Sequence, residues 1–359
     1  MSNPRFPELG FYALPGHTKT PADILEEVSH ADKLGIGSAW ISERFDFKEV
    51  GVLAGAAGAV TRDIFIGSAA TNINTRHPLV IASLATTMHR LTHGRFALGV
   101  ARGIGVRSAL MGIPKVSNQH LRDFAEMMRN LWKGQRVMGY EGPLGNFPYL
   151  HMNGGLDEDI PLVFCCYGPR SLEFAGSIFD AVILTTFLSD AAVAKAVKLV
   201  RQGAEKAGRD PDQVKVWSVL ATAHEPDEEM HLRYIIARLA TYMQAPDLGD
   251  MYVDINDWDP AVLQRFRENP TVAGMTGGID SVATLAQLRE IETLIPKEYL
   301  HAACGDAATC AQRWQDQFKA GADGVIIHAS TPQEFEPVLH AYAKIRDNER
   351  FRNRTNRPG

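Results

Sequence analysis

Residues 66–103 read IGSAATNINTRHPLVIASLATTMHRLTHGRFALGVARG. The segment opens in one apolar run, 64–70, and closes in a second, 96–100. Between them His77-Pro78 begins a helix that runs to about residue 89, with proline at the position where its missing N–H costs nothing. The strand runs are continuously apolar, as expected when both faces of a parallel sheet are covered. The segment is therefore a strand–helix–strand unit, and the fold depends on how often it recurs.

It recurs along the whole chain. Apolar runs at 9–14, 38–41, 64–70, 96–100, 162–166, 181–184, 214–221 and 324–328 predict eight strands, most of them followed by a helix. Thr20-Pro21-Ala22-Asp23 is a helix start, with a capping hydroxyl, proline at the first position and an early acid. Eight such units in 359 residues predict an α/β fold, a (β/α)8 barrel, over an open doubly wound sheet with a helical appendage. Residues 134–160, rich in Gly, Pro and aromatics, form an excursion. Residues 226–300 are too long for one crossover and are expected to add helices over the barrel mouth. No linker-like composition breaks the chain, so 1–359 is expected to be a single domain carrying these two insertions.

The net charge of −5 supplies no basic field for nucleic acid or an anionic membrane surface. No apolar run reaches membrane-spanning length, and the N-terminus has no signal-peptide pattern, so the expected location is cytoplasmic. Cys165 and Cys166, adjacent in a strand, point to opposite faces and make poor disulfide partners. With Cys304 and Cys310 they are expected to be reduced thiols. No metal-ligand spacing, GxSxG elbow or HExxH helix is present, and no GxGxxG follows the first strand.

In a (β/α)8 barrel the chemistry lies at the C-terminal strand ends. These ends hold Pro15-Gly16-His17, Glu43-Arg44, Ala69-Ala70-Thr71-Asn72, Arg102-Gly103, Tyr167-Gly168-Pro169 and His328-Ala329-Ser330-Thr331. Gly168-Pro169-Arg170-Ser171 opens a helix directly after strand five, where free N–H groups and the helix dipole favour an anion. Arg102 beside Gly103 could add countercharge; an ordinary capped turn and a surface arginine fit the same residues. Tyr12, Trp40, Phe45 and Phe47 suggest a partly aromatic wall, although plain core packing suits Tyr12 and Trp40 better. His77 suits a capping or packing role at least as well as a site role.

On the segment 66–103, the acid-plus-polar end of strand two and GADGVIIHAS at 321–330, the sequence resembles the bacterial luciferase-like flavin and deazaflavin oxidoreductases, most of all their coenzyme F420-dependent branch. The resemblance covers nearly the whole chain and is weakest in 134–160 and 226–300. It implies a (β/α)8 barrel that binds F420, or FMN as the alternative, at the strand ends. The cofactor phosphate is implied at Arg102, Gly103, Tyr167, Gly168, Pro169 and Ser171. A non-prolyl cis peptide is implied at Ala69–Ala70, beside Thr71 and Asn72. A small-molecule substrate and a homodimer are implied as well. One departure stands out: relatives usually place a histidine after the acid that ends strand two, and here Arg44 follows Glu43. Arginine does not give up its proton in proteins, so Arg44 would hold an anion, of substrate or reduced cofactor, and Glu43, His17 or His328 would carry the proton. The expected activity is hydride transfer between F420 and an organic substrate. A reduced-FMN monooxygenase and a non-catalytic cofactor carrier are the alternatives.

Overall fold

The computed structural model describes residues 5–16, 20–45, 48–103 and 105–359, with the side chains of all of these but 106 and 107. Its centre is a ring of strands β1 (Phe6–Tyr12), β2 (Ile36–Ile41), β3 (Phe65–Ser68), β4 (Phe96–Ala101), β5 (Leu162–Cys165), β6 (Ala181–Ile183), β7 (Lys215–His224) and β8 (Gly324–His328). Each pairs in parallel with the next, and β8 pairs with β1, so the barrel closes. Closure leaves no unpaired edge and satisfies the backbone polar groups internally.

The apolar runs split by parity. Trp40, Phe65, Ala97, Val163, Trp217 and Ile326 fill the barrel interior. Their neighbours Ala39, Ile66, Leu98, Phe164, Val216 and Val325 join the larger outer core under the helices. Successive strand residues point to opposite faces, so a run buried on both must be apolar throughout. Trp40 and Trp217 meet edge to face with ring centroids 6.1 Å apart. Each sits where the neighbouring strand carries glycine: a side chain at Gly67 would collide with Trp40, and one at Gly324 with Trp217. Trp40 is thus interior packing, as its composition suggests. Cys165 faces inward and Cys166 outward, which accounts for two adjacent thiols that stay unpaired.

The strand-to-helix switches follow local chemistry. Helix Ile24–Leu34 ends at Gly35, whose φ of 78° only glycine adopts without penalty, and β2 starts at the next residue. His77 caps helix Pro78–Leu91 by accepting the Leu79 N–H at Nδ1, 3.2 Å away. That is the capping role its position next to Pro78 suggested.

The two insertions differ. The first holds an antiparallel hairpin, Val137–Gly142 against Gly145–Leu150, over the barrel flank. The second contributes a run of helices, among them Ala237–Gln244 and Pro246–Asn256. Two elements were not read from sequence. A three-residue strand, Ala303–Gly305, pairs with the end of β7, and helix Ala307–Lys319 follows it as the true crossover to β8. A strand that short, with one buried residue, leaves no periodic signal. Among the described residues no helix is long and apolar enough to cross a membrane.

The turn after β1 is tied down by two ionisable side chains. Glu27, 4% exposed, accepts the Leu14 N–H at 2.7 Å, and the Lys48 ammonium donates to the Leu14 carbonyl. Burial pushes the Glu27 carboxyl from 4.5 up to about 7. The fold therefore favours protonated Glu27. Between the unfolded value and 7 the folded chain holds the extra proton, so stability falls as pH rises through that window, by at most about 3 kcal/mol. Urea denaturation at pH 5 and pH 8 should show wild type losing stability at the higher pH. Glu27→Gln, which keeps an acceptor for Leu14, should lose markedly less; an equal loss would show that Glu27 does not titrate in this way.

Candidate active site

The end of β2 lies beside the end of β3. Ala69 N–H donates to the Ile41 carbonyl at 2.8 Å, and Glu43 N–H to the Ala70 carbonyl at 3.4 Å. The Glu43 side chain is 4% exposed. A carboxylate that far from water must be paired. Arg76 grips it in a two-pronged contact, with Nη1 at 3.1 Å from Oε2 and Nη2 on Oε1, and Thr71 Oγ1 donates to Oε2 at 2.6 Å. Arg76 also donates to Thr71 Oγ1 at 2.9 Å and to the Glu49 carboxylate. The hydrogen bond to Glu43 holds the guanidinium above its ordinary proton affinity. Both Glu43 oxygens are thus committed as acceptors, and the next residue, Arg44, reaches the open mouth. Its backbone forms an antiparallel bridge to Lys48, with N···O distances of 3.0 and 2.9 Å.

β3 stops at Ser68, the Ala69–Ala70 peptide is cis, as the resemblance implies, and the chain resumes as a short strand, Thr71–Asn72, against Val100 and Ala101 of β4. Asn72 ties this segment to the β4 loop: Nδ2 donates to the Arg102 carbonyl at 3.2 Å and Oδ1 accepts the Asn74 N–H at 2.8 Å. Gly103 follows with φ 76°, and a Cβ there would lie 2.9 Å from Ser108 Oγ. Arg102 donates to the Val116 carbonyl at 2.7 Å and to Asn118, over the Phe164 ring. Burial lowers its proton affinity, though a guanidinium stays charged.

Adjoining hollows occupy the mouth, and three of them bear on the site. The first, about 420 Å3, lies between the β4 loop and the helix after β5, and is lined by Arg102, Gly103, Cys165, Cys166, Tyr167, Gly168 and Ser171. That helix, Pro169–Ile178, starts with proline at its first position and glycine at its cap, so no cap side chain covers its N-terminal N–H groups. Burial pushes the Cys165 thiol up to about 12 and the Cys166 and Tyr167 groups well above their ordinary values. No thiolate nucleophile forms there at neutral pH. The second hollow, about 430 Å3, is lined by Arg44, Arg238, Asp280, His328 and several hydroxyls. Tyr12, Ala69, Leu184, Thr185 and Tyr242 belong to both, so the two adjoin. The third, about 180 Å3, joins Glu43, Arg44, Ala70, Thr71 and Asn72 to Gly103.

Most residues expected at the site therefore converge. Pro169 starts the helix but is exposed and lines none of these hollows. His17 and Phe47 lie outside the described residues. His328 faces the Tyr12 ring edge, centroids 5.3 Å apart. Tyr12, assigned to core packing from its sequence, lies in the wall of both larger hollows, and burial raises its hydroxyl well above the ordinary value. Phe45 is 55% exposed at the rim. Thr185 and Thr186 went unnoticed although the strand-end rule, applied to β6, reaches them. Arg238, Tyr242 and Asp280 come from the second insertion, where no strand end marks a site.

These features define a parallel (β/α)8 barrel whose mouth, at the C-terminal strand ends, holds a glycine-lined helix start beside a polar chamber. The chain belongs to the luciferase-like monooxygenase family, whose model matches residues 8–324. It is 28% identical over 202 residues to a 5,10-methylenetetrahydromethanopterin reductase of Methanolobus tindarius, covering 55% of this chain and 61% of that protein's length. It is 28% identical over 233 residues to an F420-dependent glucose-6-phosphate dehydrogenase of Mycolicibacterium fortuitum, covering 59% and 68%. In fold it is similar to the coenzyme F420-dependent tetrahydromethanopterin reductase of Methanopyrus kandleri, with TM-score 0.75, 20% identity and coverage of 96% and 99%.

Arg76→Met leaves Glu43 buried without its cation. Urea denaturation should register a loss of about 3 kcal/mol, and adding Glu43→Gln should recover part of it. A loss below about 0.5 kcal/mol, the size of an ordinary surface change, would show that the pair does not hold the strand ends together.

Proposed function

We propose that this protein is an F420-dependent oxidoreductase acting on a small organic substrate. The observation that carries the reading is the first hollow, where Gly103, Gly168, Ser171 and an uncapped helix start converge beside the Ala69–Ala70 peptide. The donor set fits a cofactor phosphate. Gly103 leaves room for close approach, Ser171 offers a hydroxyl, and the helix dipole favours the anion. Arg102 adds positive charge from behind. The backbone at Ala69 and Ala70 would support the ring, between Tyr12 and the third hollow. When bound, the deazaflavin would supply or accept a hydride at its ring carbon.

The chain's own residues would hold the substrate and handle the proton. Glu43 has both oxygens committed to Arg76 and Thr71, so we assign it the holding of the strand ends. Tyr12 keeps its proton at neutral pH and serves as a donor. His328, on the second hollow and against Tyr12, is the group we assign to proton transfer. We also place the protein in the cytoplasm as a homodimer. Its four free thiols and the exposed Val52 and Val80 on helices Val50–Val60 and Pro78–Leu91 support that reading.

Titrating the purified protein with F420 and with FMN, followed by absorbance, should give saturable binding of F420 and none of FMN; the reverse would select the monooxygenase alternative. Once a substrate is found, His328→Asn should lower kcat about 100-fold or more and leave F420 affinity within about twofold. Unchanged kcat would remove His328 from the proton path.

A further inference from the structure

A cluster of reactive side chains lies apart from the three hollows of the mouth. Cys304 stands on the short strand Ala303–Gly305, opposite Ala223 of β7. Its Sγ lies 3.7 Å from His231 Nδ1, and His231 Nε2 lies 3.0 Å from Glu292 Oε1. His231 ends helix Glu228–His231 and Glu292 ends helix Leu285–Glu292, so three separate elements bring these groups together. A carboxylate only accepts, so the Glu292 bond keeps the proton on Nε2 and leaves the Nδ1 lone pair for the thiol. A nucleophile, a base and a group that orients the base thus follow one another in a hydrogen-bonded chain.

Among the described residues, Cys304 is the one cysteine whose sulfur is hydrogen-bonded to an imidazole. Cys310 is buried, faces the Ala223 and Gly305 carbonyls at 3.8 and 3.6 Å, and is pushed up to about 12. Burial raises the Cys304 thiol as well. At rest it is therefore a neutral S–H donating to Nδ1, with its proton already directed at the base. Small molecules can reach the cluster: Cys304 is half-buried, and the His231 and Glu292 side chains are 26% and 44% exposed. The ionisable groups around it are engaged elsewhere. Glu228 pairs with Arg289 at 2.7 Å and Glu229 with Arg233 at 2.8 Å. Asp227 and Asp306 cap helices by accepting the Met230 and Thr309 N–H groups, and His224, at the end of β7, lies near Asp306.

We propose that Cys304 is a modification site that reacts with a small hydroperoxide, with His231 as the general acid–base group. The sulfur attacks the terminal peroxide oxygen. An S–O bond forms and the O–O bond breaks; the thiol proton passes to His231 Nδ1, which returns it to the departing oxygen. Thiol and hydroperoxide become a sulfenic acid and an alcohol, or water when the oxidant is hydrogen peroxide, so the sulfur is oxidised and the peroxide reduced. A hydroperoxide suits this geometry because its leaving oxygen needs the proton that His231 receives, and because it is small enough for a half-buried sulfur. Glu292 stabilises the imidazolium formed on the way. The position also couples the reaction to the mouth. After His231 the chain makes one π-helical turn, Leu232–Ile236, and enters helix Ala237–Gln244, which carries Arg238 and Tyr242 to the second hollow. An oxygen added to Cys304 pushes against the imidazole at the root of that helix. The site is independent of the cofactor reading.

The test treats the purified protein with hydrogen peroxide in the presence of dimedone, which traps sulfenic acid, and locates the label by peptide mass spectrometry. Cys304 should be labelled well before Cys165, Cys166 and Cys310, and Cys304→Ser should remove the early label. His231→Gln should slow labelling of Cys304 at least about tenfold, a conservative share of what general acid–base catalysis supplies, and Glu292→Gln should slow it less. The wild-type rate should climb over about pH 5–8, where imidazole changes charge. The His231→Gln rate should climb only as the thiol itself ionises and catch up at high pH, a profile that misfolding would not produce. Slow labelling of the buried Cys166 and Cys310 shows that a variant is folded; if His231→Gln exposes them, Glu292→Gln decides. Early labelling of a different cysteine would overturn the proposal, as would a folded His231→Gln variant that reacts as fast as wild type or a Glu292→Gln variant with no loss.

Discussion

The barrel mouth is organised around a carboxylate that cannot be left alone. Glu43 is almost fully buried at the end of β2, and a charge in that position needs an equally fixed partner. Arg76 provides it from the chain beyond β3, and Thr71 adds a hydroxyl. This cluster joins the ends of β2 and β3 and fixes the Thr71–Asn72 segment. Asn72 then reaches the β4 loop through the Arg102 carbonyl. One ion pair therefore sets the spacing of three consecutive strand ends, and with it the position of Ala69–Ala70, Arg44 and Gly103.

Below that layer the barrel is held by size complementarity. Two tryptophans fill the interior, and glycines on neighbouring strands make the space for them. A core packed to this density lets little movement through. Adaptation to a ligand is left to the loops and to the second insertion, which supplies Arg238, Tyr242 and Asp280. The barrel fixes the strand ends, and the insertion decides what lies next to them.

The fold was legible because every strand is buried on both faces and is therefore continuously apolar. The eight runs from 9–14 to 324–328 each correspond to a barrel strand. Ala303–Gly305 escaped because three residues leave no pattern, and helix Ala307–Lys319 was lost with it. The strand-end rule found Arg44, Gly103, Gly168 and His328. It was silent about Arg238 and Asp280, which reach the mouth through tertiary packing of helices that carry no strand-end marker. The role of Arg76 was hidden for a different reason: an ion pair across 33 residues of sequence has no local signature. Tyr12 fills both roles its sequence allowed, packing on the interior cluster and lining the hollows, because the last position of a buried strand borders the core below and the cavity above.

We propose that the hollow between Gly103 and Ser171 is a deazaflavin site. A crystal structure of the protein soaked or co-crystallised with F420 tests it most directly. The phosphate should lie against Gly103, Gly168 and Ser171 and the ring against Ala69–Ala70, with the hollow beside Arg238 left for substrate. Density for the cofactor elsewhere on the barrel, or its phosphate at Arg44 in place of the helix start, would contradict it.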